Sequence, residues 1–268
     1  MQPFLKLHQI GLSYHTLDGE VSALSQVDFS VKEGEFVSLV GPSGCGKSTI
    51  LNIIAGLLKP ERGIVTIHGI PLEDSQVRIG YMLQRDHLFE WRTIQRNVQL
   101  GLEIKKEITK ENIAFVDSLL ETYNLEDFKN KKPSQLSGGM RQRAALIRTL
   151  ALNPPLLLLD EPFSALDYQT RLNVSDDIWK IIQKEKKTTI LVTHDISEAI
   201  SMSDRVLVLS KAPTYVRCEI PILLKEKTPM TRRNAPEFKE YFDHIWKELN
   251  SDDVFCESAE IPCGLQKE

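Results

Sequence analysis

The sequence predicts an α/β fold on a mixed, largely parallel sheet, with an N-terminal antiparallel β region and an inserted helical subdomain. Three observations predict it. Period-two alternation runs through residues 1–35. Dense runs at Phe36–Val40, Leu156–Asp160, 189–193 and Arg205–Leu209 read as strands buried on both faces. Residues 93–154 read as helical throughout, and Asn153-Pro154-Pro155 ends that block because proline cannot continue a helix.

In chain order, Leu5, Leu7, Gln9 and Gly11 alternate with Lys6, His8, Ile10 and Leu12. Val27, Phe29 and Val31 then alternate with Asp28, Ser30 and Lys32, and Glu33-Gly34 is a turn. The Phe36–Val40 strand runs into a glycine-rich loop. The following helix carries Ile50, Leu51, Ile53, Ile54, Leu57 and Leu58 on one side and stops at Lys59-Pro60. Residues 65–68 and 79–83 are further strands. A helix near Tyr168–Lys184 turns Ile178, Ile181 and Ile182 inward. After residue 211, Pro213, Pro221, Pro229 and Pro236 break the pattern, leaving one amphipathic helix at about 236–249.

The 268 residues suffice for a core that needs no covalent staples, and four cysteines do not make a disulfide framework. With 33 basic against 37 acidic residues, a net charge of −4, the chain lacks the basic excess of a nucleic-acid binder. No apolar run approaches the roughly 18 residues of a membrane span. The first residues lack the charged start and apolar stretch of a signal peptide. The chain is therefore expected to be cytosolic as made, and to reach a membrane only by docking onto another protein.

Gly41-Pro42-Ser43-Gly44-Cys45-Gly46-Lys47-Ser48 fits the G-x-x-x-x-G-K-[ST] pattern in full. Glycines let the backbone curl so that N–H groups face phosphate oxygens, and the helix N-terminus adds partial positive charge. Lys47 is expected to reach the β- and γ-phosphates of ATP, and the Ser48 hydroxyl to ligate Mg²⁺. Gly41, Ser43, Gly44, Cys45, Gly46, Lys47, Ser48 and Thr49 are the candidate nucleotide-binding residues. Cys45, beside a helix N-terminus, is expected to favour the thiolate, so that its alkylation blocks ATP.

Leu156–Asp160 is followed by Glu161 and Pro162, which places two carboxylates at a strand's C-terminal end. Asp160 is expected to hold Mg²⁺ through water and Glu161 to polarise the attacking water. The alternative is a pair of acids capping a strand at the surface. Ser137-Gly138-Gly139 opens a second helix with exposed N–H groups. One ATP needs one such cradle, so the second makes sense against ATP held by another subunit.

Leu136-Ser137-Gly138-Gly139-Met140-Arg141-Gln142-Arg143 resembles the signature of ATP-binding cassette (ABC) ATPases, and the other motifs agree in order. The resemblance covers about residues 3–248 and implies a P-loop ATPase core. Gln84 matches the family's Q-loop glutamine, Ser164-Ala165-Leu166-Asp167 its D-loop, and His194 its switch histidine. Tyr14 sits where the family puts an aromatic that stacks on adenine, or else it packs in the core. By this resemblance two copies form a head-to-tail homodimer. Each ATP then lies between one copy's phosphate loop and the other's Ser137 and Gly139. Gln84 senses Mg²⁺ and the water, and His194 contacts the γ-phosphate. Met140 departs from the glutamine of many members, with little effect expected on hydrolysis.

The domain so implied spans residues 1–250, with the helical subdomain at about 90–154 and a tail at 251–268. A transport ATPase and a soluble ABC ATPase are the competing readings. A single cassette, with residues 85–135 too few for a coiled-coil arm, favours transport. The partners are then membrane permease subunits and, indirectly, an extracytoplasmic solute-binding protein. The cassette would sit peripherally on the cytoplasmic face of the membrane. Leu88-Phe89-Glu90-Trp91 suits a groove for a permease helix, or else packs locally. Trp91-Arg92-Thr93 resembles the nitrate, sulfonate, taurine and thiamine-precursor importers, with polyamine or metal importers as alternatives. Cys256 and Cys263 are two free thiols of the tail, or, from two paired tails, ligands for Zn²⁺ or an iron–sulfur cluster.

Overall fold

The computed structural model describes residues 2–16, 19–226 and 228–251. The chain divides into two compact units, Met1–Val77 with Thr188–Glu268, and Arg78–Lys187. The first unit opens with β1 (Leu5–Thr16), β2 (Gly19–Val31), β3 (Phe36–Val40), α1 (Lys47–Ile54), β4 (Arg62–Ile67) and β5 (Ile70–Pro71). The second holds β6 (Ile79–Met82), α2 (Ile94–Val98), α3 (Leu100–Lys105), α4 (Lys110–Thr122), α5 (Gly138–Leu150), β7 (Leu156–Asp160) and α6 (Tyr168–Lys184). The first unit resumes with β8 (Thr188–Val192), α7 (Ile196–Met202), β9 (Arg205–Leu209), β10 (Val216–Pro221), α8 (Pro229–Arg232) and α9 (Phe238–Asn250).

In the first unit β1 pairs antiparallel with β2 and with β4, and the sheet order is β2-β1-β4-β5. On β1 the side chains of Leu5, Leu7, Ile10 and Leu12 are buried. The inward face changes from odd to even positions at Gln9, where φ is 51° and the register shifts. A bulge adds one residue, and every later side chain changes face. The unbroken alternation expected through Gln9 and Gly11 is corrected there.

The other strands of this unit run in the order β10-β9-β3-β8. β3 is parallel to β8 and β9, and β10 is antiparallel to β9, so the sheet is mixed. All five residues of β3 are buried. α7 and α9 close over β9 and β10 through Ile196, Ile200, Val206, Val208, Ile220 and Ile245. β10 was not expected among the prolines after residue 211. Pro221 stands at its last position, where a missing N–H is tolerated. The amphipathic helix near the end is present as α9, with Tyr241 and Ile245 buried. α1 ends at Ile54, and Gly56 at φ 71° turns the chain out of the helix. Leu57, expected inward, is 67% exposed.

In the second unit β6 and β7 are parallel, Ile79 opposite Leu156 and Met82 opposite Leu159. Leu156 to Leu159 are fully buried. The block expected to be helical throughout is interrupted. Lys106 and Asn124, at φ 56° and 57°, leave the helical backbone after α3 and α4. Thr109 and Ser137 restart it as N-caps, accepting from Asn112 N and Met140 N. Among the described residues no helix is long and apolar enough to cross a membrane.

Candidate nucleotide site

The glycine-rich loop leaves the buried end of β3 and enters α1, whose first residue is Lys47. Lys47 is 6% exposed, and its ammonium donates to Gly41 O and Pro42 O, both at 2.8 Å. Burying a lysine charge on neutral oxygens is costly, and phosphate oxygens are stronger acceptors for it. Gly46 caps the helix at φ 100°. A Cβ there would stand 2.9 Å from Leu24 Cδ2, so conformation and space both require glycine. Ser43, Gly44 and Ser48 are exposed, while Thr49 is buried. A buried ammonium, an open helix N-terminus and a hydroxyl are the donor set that a magnesium-bound triphosphate requires.

Two further candidates lie in the same unit. Tyr14 on β1 is 42% exposed, and its hydroxyl is 3.1 Å from Thr49 Oγ1. The contact places an open aromatic face beside the phosphate-loop helix, not in the core. Parallel pairing of Leu39 with Val192 makes the phosphate loop and His194 leave neighbouring strands at one sheet edge. His194 is exposed, with pinned residues on either side. Thr193 Oγ1 donates to the buried Glu198 at 2.7 Å and accepts from Asp195 N at 3.0 Å. Asp195 caps α7 by accepting from Ser197 N and Glu198 N. Nothing local in the sequence distinguishes Glu198 from a helix-surface acid.

In the second unit, Gln84 follows β6 and the Asp160–Glu161 pair ends β7, so all three leave one edge of a parallel pair. Gln84 Nε2 donates to Glu161 Oε2 at 3.0 Å. Glu161 has φ 45°, a left-handed backbone that costs a residue with a Cβ roughly 1–2 kcal/mol. Such strain gathers where a side chain must be aimed. Asp160 is buried, and the Tyr81 hydroxyl donates to its Oδ2 at 3.4 Å. Burial and the neighbouring carboxylate push the Tyr81 phenol well above its ordinary value, so it stays a donor at all physiological pH. The contact between Tyr81 and Asp160 carries no local mark in the sequence.

Ser137 is exposed at the start of α5, and its side chain caps the helix through Met140 N at 3.3 Å. Gly139 is buried, and a Cβ on it would lie 2.9 Å from Val174 Cγ2 on α6. Close helix packing is thus a reason for glycine here.

α5 also grips the segment after Gln84. Arg141 Nε donates to Asp86 Oδ2 at 3.0 Å, and Arg148 donates to His87 O and Asp86 O at 2.6 and 2.7 Å. The fully buried Asn97 holds the next turn. Its Oδ1 accepts from Phe89 N at 2.7 Å, and its Nδ2 faces Phe89 O, Arg92 O and Thr93 O at 3.0 to 3.3 Å. The apolar cluster expected here is split. Leu88 is buried, while Trp91 is 73% exposed and stacks on Phe89 with centroids 4.7 Å apart.

Cys45 corrects the expectation of a thiolate. It is 2% exposed, and burial raises the thiol above its ordinary value, opposed by Lys47. Cys256 and Cys263 lie outside the described residues. Among the described residues no group of three or more His, Cys, Asp or Glu could hold a metal ion.

Residues 24–164 match the family model described as ABC transporter. An uncharacterised ABC transporter ATP-binding protein, YtlC of Bacillus subtilis, is 46% identical over 92% of this chain and 96% of its own. The aliphatic sulfonates import ATP-binding protein SsuB of Bacillus licheniformis is 37% identical over 88% and 90%. A dimeric, post-hydrolysis structure of the ATP-binding cassette MJ0796 bound to ADP and Pi superposes with a TM-score of 0.71 at 37% identity, covering 82% of this chain and 99% of that one. With the phosphate loop, the acidic strand end and the signature helix all in place, the chain belongs to the ABC transporter family, among its ATP-binding cassettes.

Proposed function

We propose that the chain is the ATP-hydrolysing subunit of an importer for an aliphatic sulfonate, taurine, nitrate or a related small solute. The observation that carries the ATPase reading is the buried Lys47 ammonium, held by loop carbonyls in a loop shaped for phosphate. Lys47 and the loop N–H groups bind the phosphates, Thr49 lies in the same first turn, and Tyr14 stacks on adenine. Ser48, Asp160 and Gln84 hold Mg²⁺, which draws charge from the phosphate oxygens when bound. Glu161 accepts a proton from water as the water oxygen bonds the γ-phosphorus and the bond to ADP breaks. Gln84 keeps Glu161 aimed, and His194 steadies the γ-phosphate.

Residues 1–250 act as one ATPase domain, with the helices of 90–154 as its subdomain. Two copies work head to tail, Ser137 and Gly139 of each completing the other's site. The cassette is peripheral on the cytoplasmic face, bound to permease subunits that an extracytoplasmic binding protein serves. The exposed Trp91, stacked on the partly buried Phe89, is the surface a permease helix meets. The solute class rests on Trp91-Arg92-Thr93 and on the likeness to SsuB. MgATP hydrolysis by the purified chain tests the first reading; a chain that binds no MgATP removes it. Uptake of a labelled alkanesulfonate by cells holding the cassette and its co-purifying permease tests the second. Retained uptake after deletion of the cassette counts against it.

A further inference from the structure

Thr214 is fully buried in the turn between β9 and β10, 169 residues from the phosphate loop in sequence. Its hydroxyl donates to the carbonyl oxygen of Cys45. Its backbone is fixed on β2 from both sides: Thr214 N donates to Ala23 O at 2.9 Å, and Ser25 N donates to Thr214 O at 2.7 Å. The turn is braced again by Ser210 N to Tyr215 O at 3.1 Å and Tyr215 N to Ser210 Oγ at 3.0 Å. A rigid, buried hydroxyl is thus aimed at one carbonyl of the phosphate loop.

That carbonyl belongs to the peptide joining Cys45 to Gly46. A trans peptide is planar, with its C=O and N–H pointing in opposite directions. Pinning Cys45 O toward Thr214 therefore turns Gly46 N–H to the other side of the loop. Gly46, at φ 100°, has little of its own to hold this plane, because glycine visits both signs of φ freely.

We propose that Thr214 is a positioning residue for the nucleotide: its hydroxyl locks the Cys45–Gly46 peptide so that Gly46 N–H faces the phosphates. The proposal rests on the phosphate-loop reading. Without the hydroxyl the peptide samples both orientations, and binding must select one of them, which lowers the apparent affinity.

The test is MgATP affinity by titration calorimetry on the full chain, alongside thermal unfolding without nucleotide. Thr214→Val keeps shape and burial but removes the donor. It is expected to weaken MgATP binding about tenfold, the upper end for one neutral hydrogen bond, while unfolding cooperatively. Thr214→Ser restores the hydroxyl and is expected to bind within about twofold of wild type. Thr214→Ala removes the same donor and is read in the same way if the valine variant does not fold. Wild-type affinity in the valine or alanine variant, or a serine variant as weak as either, overturns the proposal. A wild-type chain that binds no MgATP overturns the phosphate-loop reading itself, which is a different result.

Discussion

Gln84 Nε2 holds Glu161 Oε2 at 3.0 Å, and Glu161 carries a left-handed backbone at φ 45° at the end of β7. An amide donor and a strained turn together fix the direction of one carboxylate. A group so aimed suits the general-base role proposed for it, since proton abstraction demands placement first and basicity second.

Glu161→Gln keeps the size and the hydrogen-bonding reach of the side chain but cannot take a proton. Steady-state ATPase activity is expected to fall by about 10²–10⁴, the usual range for a lost general base. MgATP affinity stays near wild type. Turnover at the normal rate in this variant displaces Glu161 from its role.

Lys47→Ala removes a buried ammonium that donates to Gly41 O and Pro42 O. Charge-assisted hydrogen bonds contribute roughly 1.5–3 kcal/mol each, so nucleotide affinity is expected to fall at least about tenfold. Equilibrium dialysis with labelled ATP measures it. Unchanged affinity contradicts the assignment of the loop.

The parts of this site that the sequence revealed are those whose chemistry is local. Gly41 to Ser48 forms a complete motif within eight residues, because the loop and the helix N-terminus are made by consecutive backbone. The strands β3, β7, β8 and β9 were equally legible, because a strand covered on both faces must be apolar throughout. Tyr81, Asn97, Glu198 and Thr214 were not legible. Each acts through a partner fixed by strand register or by a turn, and each is a common residue type with no spacing of its own. The bulge at Gln9 was missed because a one-residue insertion leaves no mark on composition. β10 was missed because proline at a strand end resembles proline in a loop.

Cys45 offers a pH-dependent readout. Its thiol is held above the ordinary value of about 8.5 by burial, and only the thiolate reacts with alkylating reagents. The protonated form is therefore favoured below the raised value and lost as pH climbs through it. Iodoacetamide labelling mapped by mass spectrometry is expected to be slow at neutral pH and to accelerate only above the normal thiol range. Rapid labelling at pH 7 contradicts the burial account.

Asn97→Ala leaves the carbonyls of Phe89, Arg92 and Thr93 and the Phe89 N–H without their amide partner. Unsatisfied buried groups cost about 1–3 kcal/mol, and denaturant titration is expected to show a loss of that size. Trp91→Ala removes a largely exposed ring and its stacking on Phe89. It is expected to leave MgATP affinity intact and to reduce co-purification of the permease. Full permease recovery with Trp91→Ala removes that surface from the account.

The central claim is that one nucleotide is shared by two copies of this chain, the phosphate loop of one and the signature helix of the other. Its most direct test is the solution mass of the Glu161→Gln variant by light scattering, with and without saturating MgATP. The account predicts a monomer without nucleotide and, with it, a dimer that retains two ATP and that a bulky residue in place of Ser137 abolishes. A variant that binds MgATP tightly yet stays monomeric at every protein concentration contradicts it.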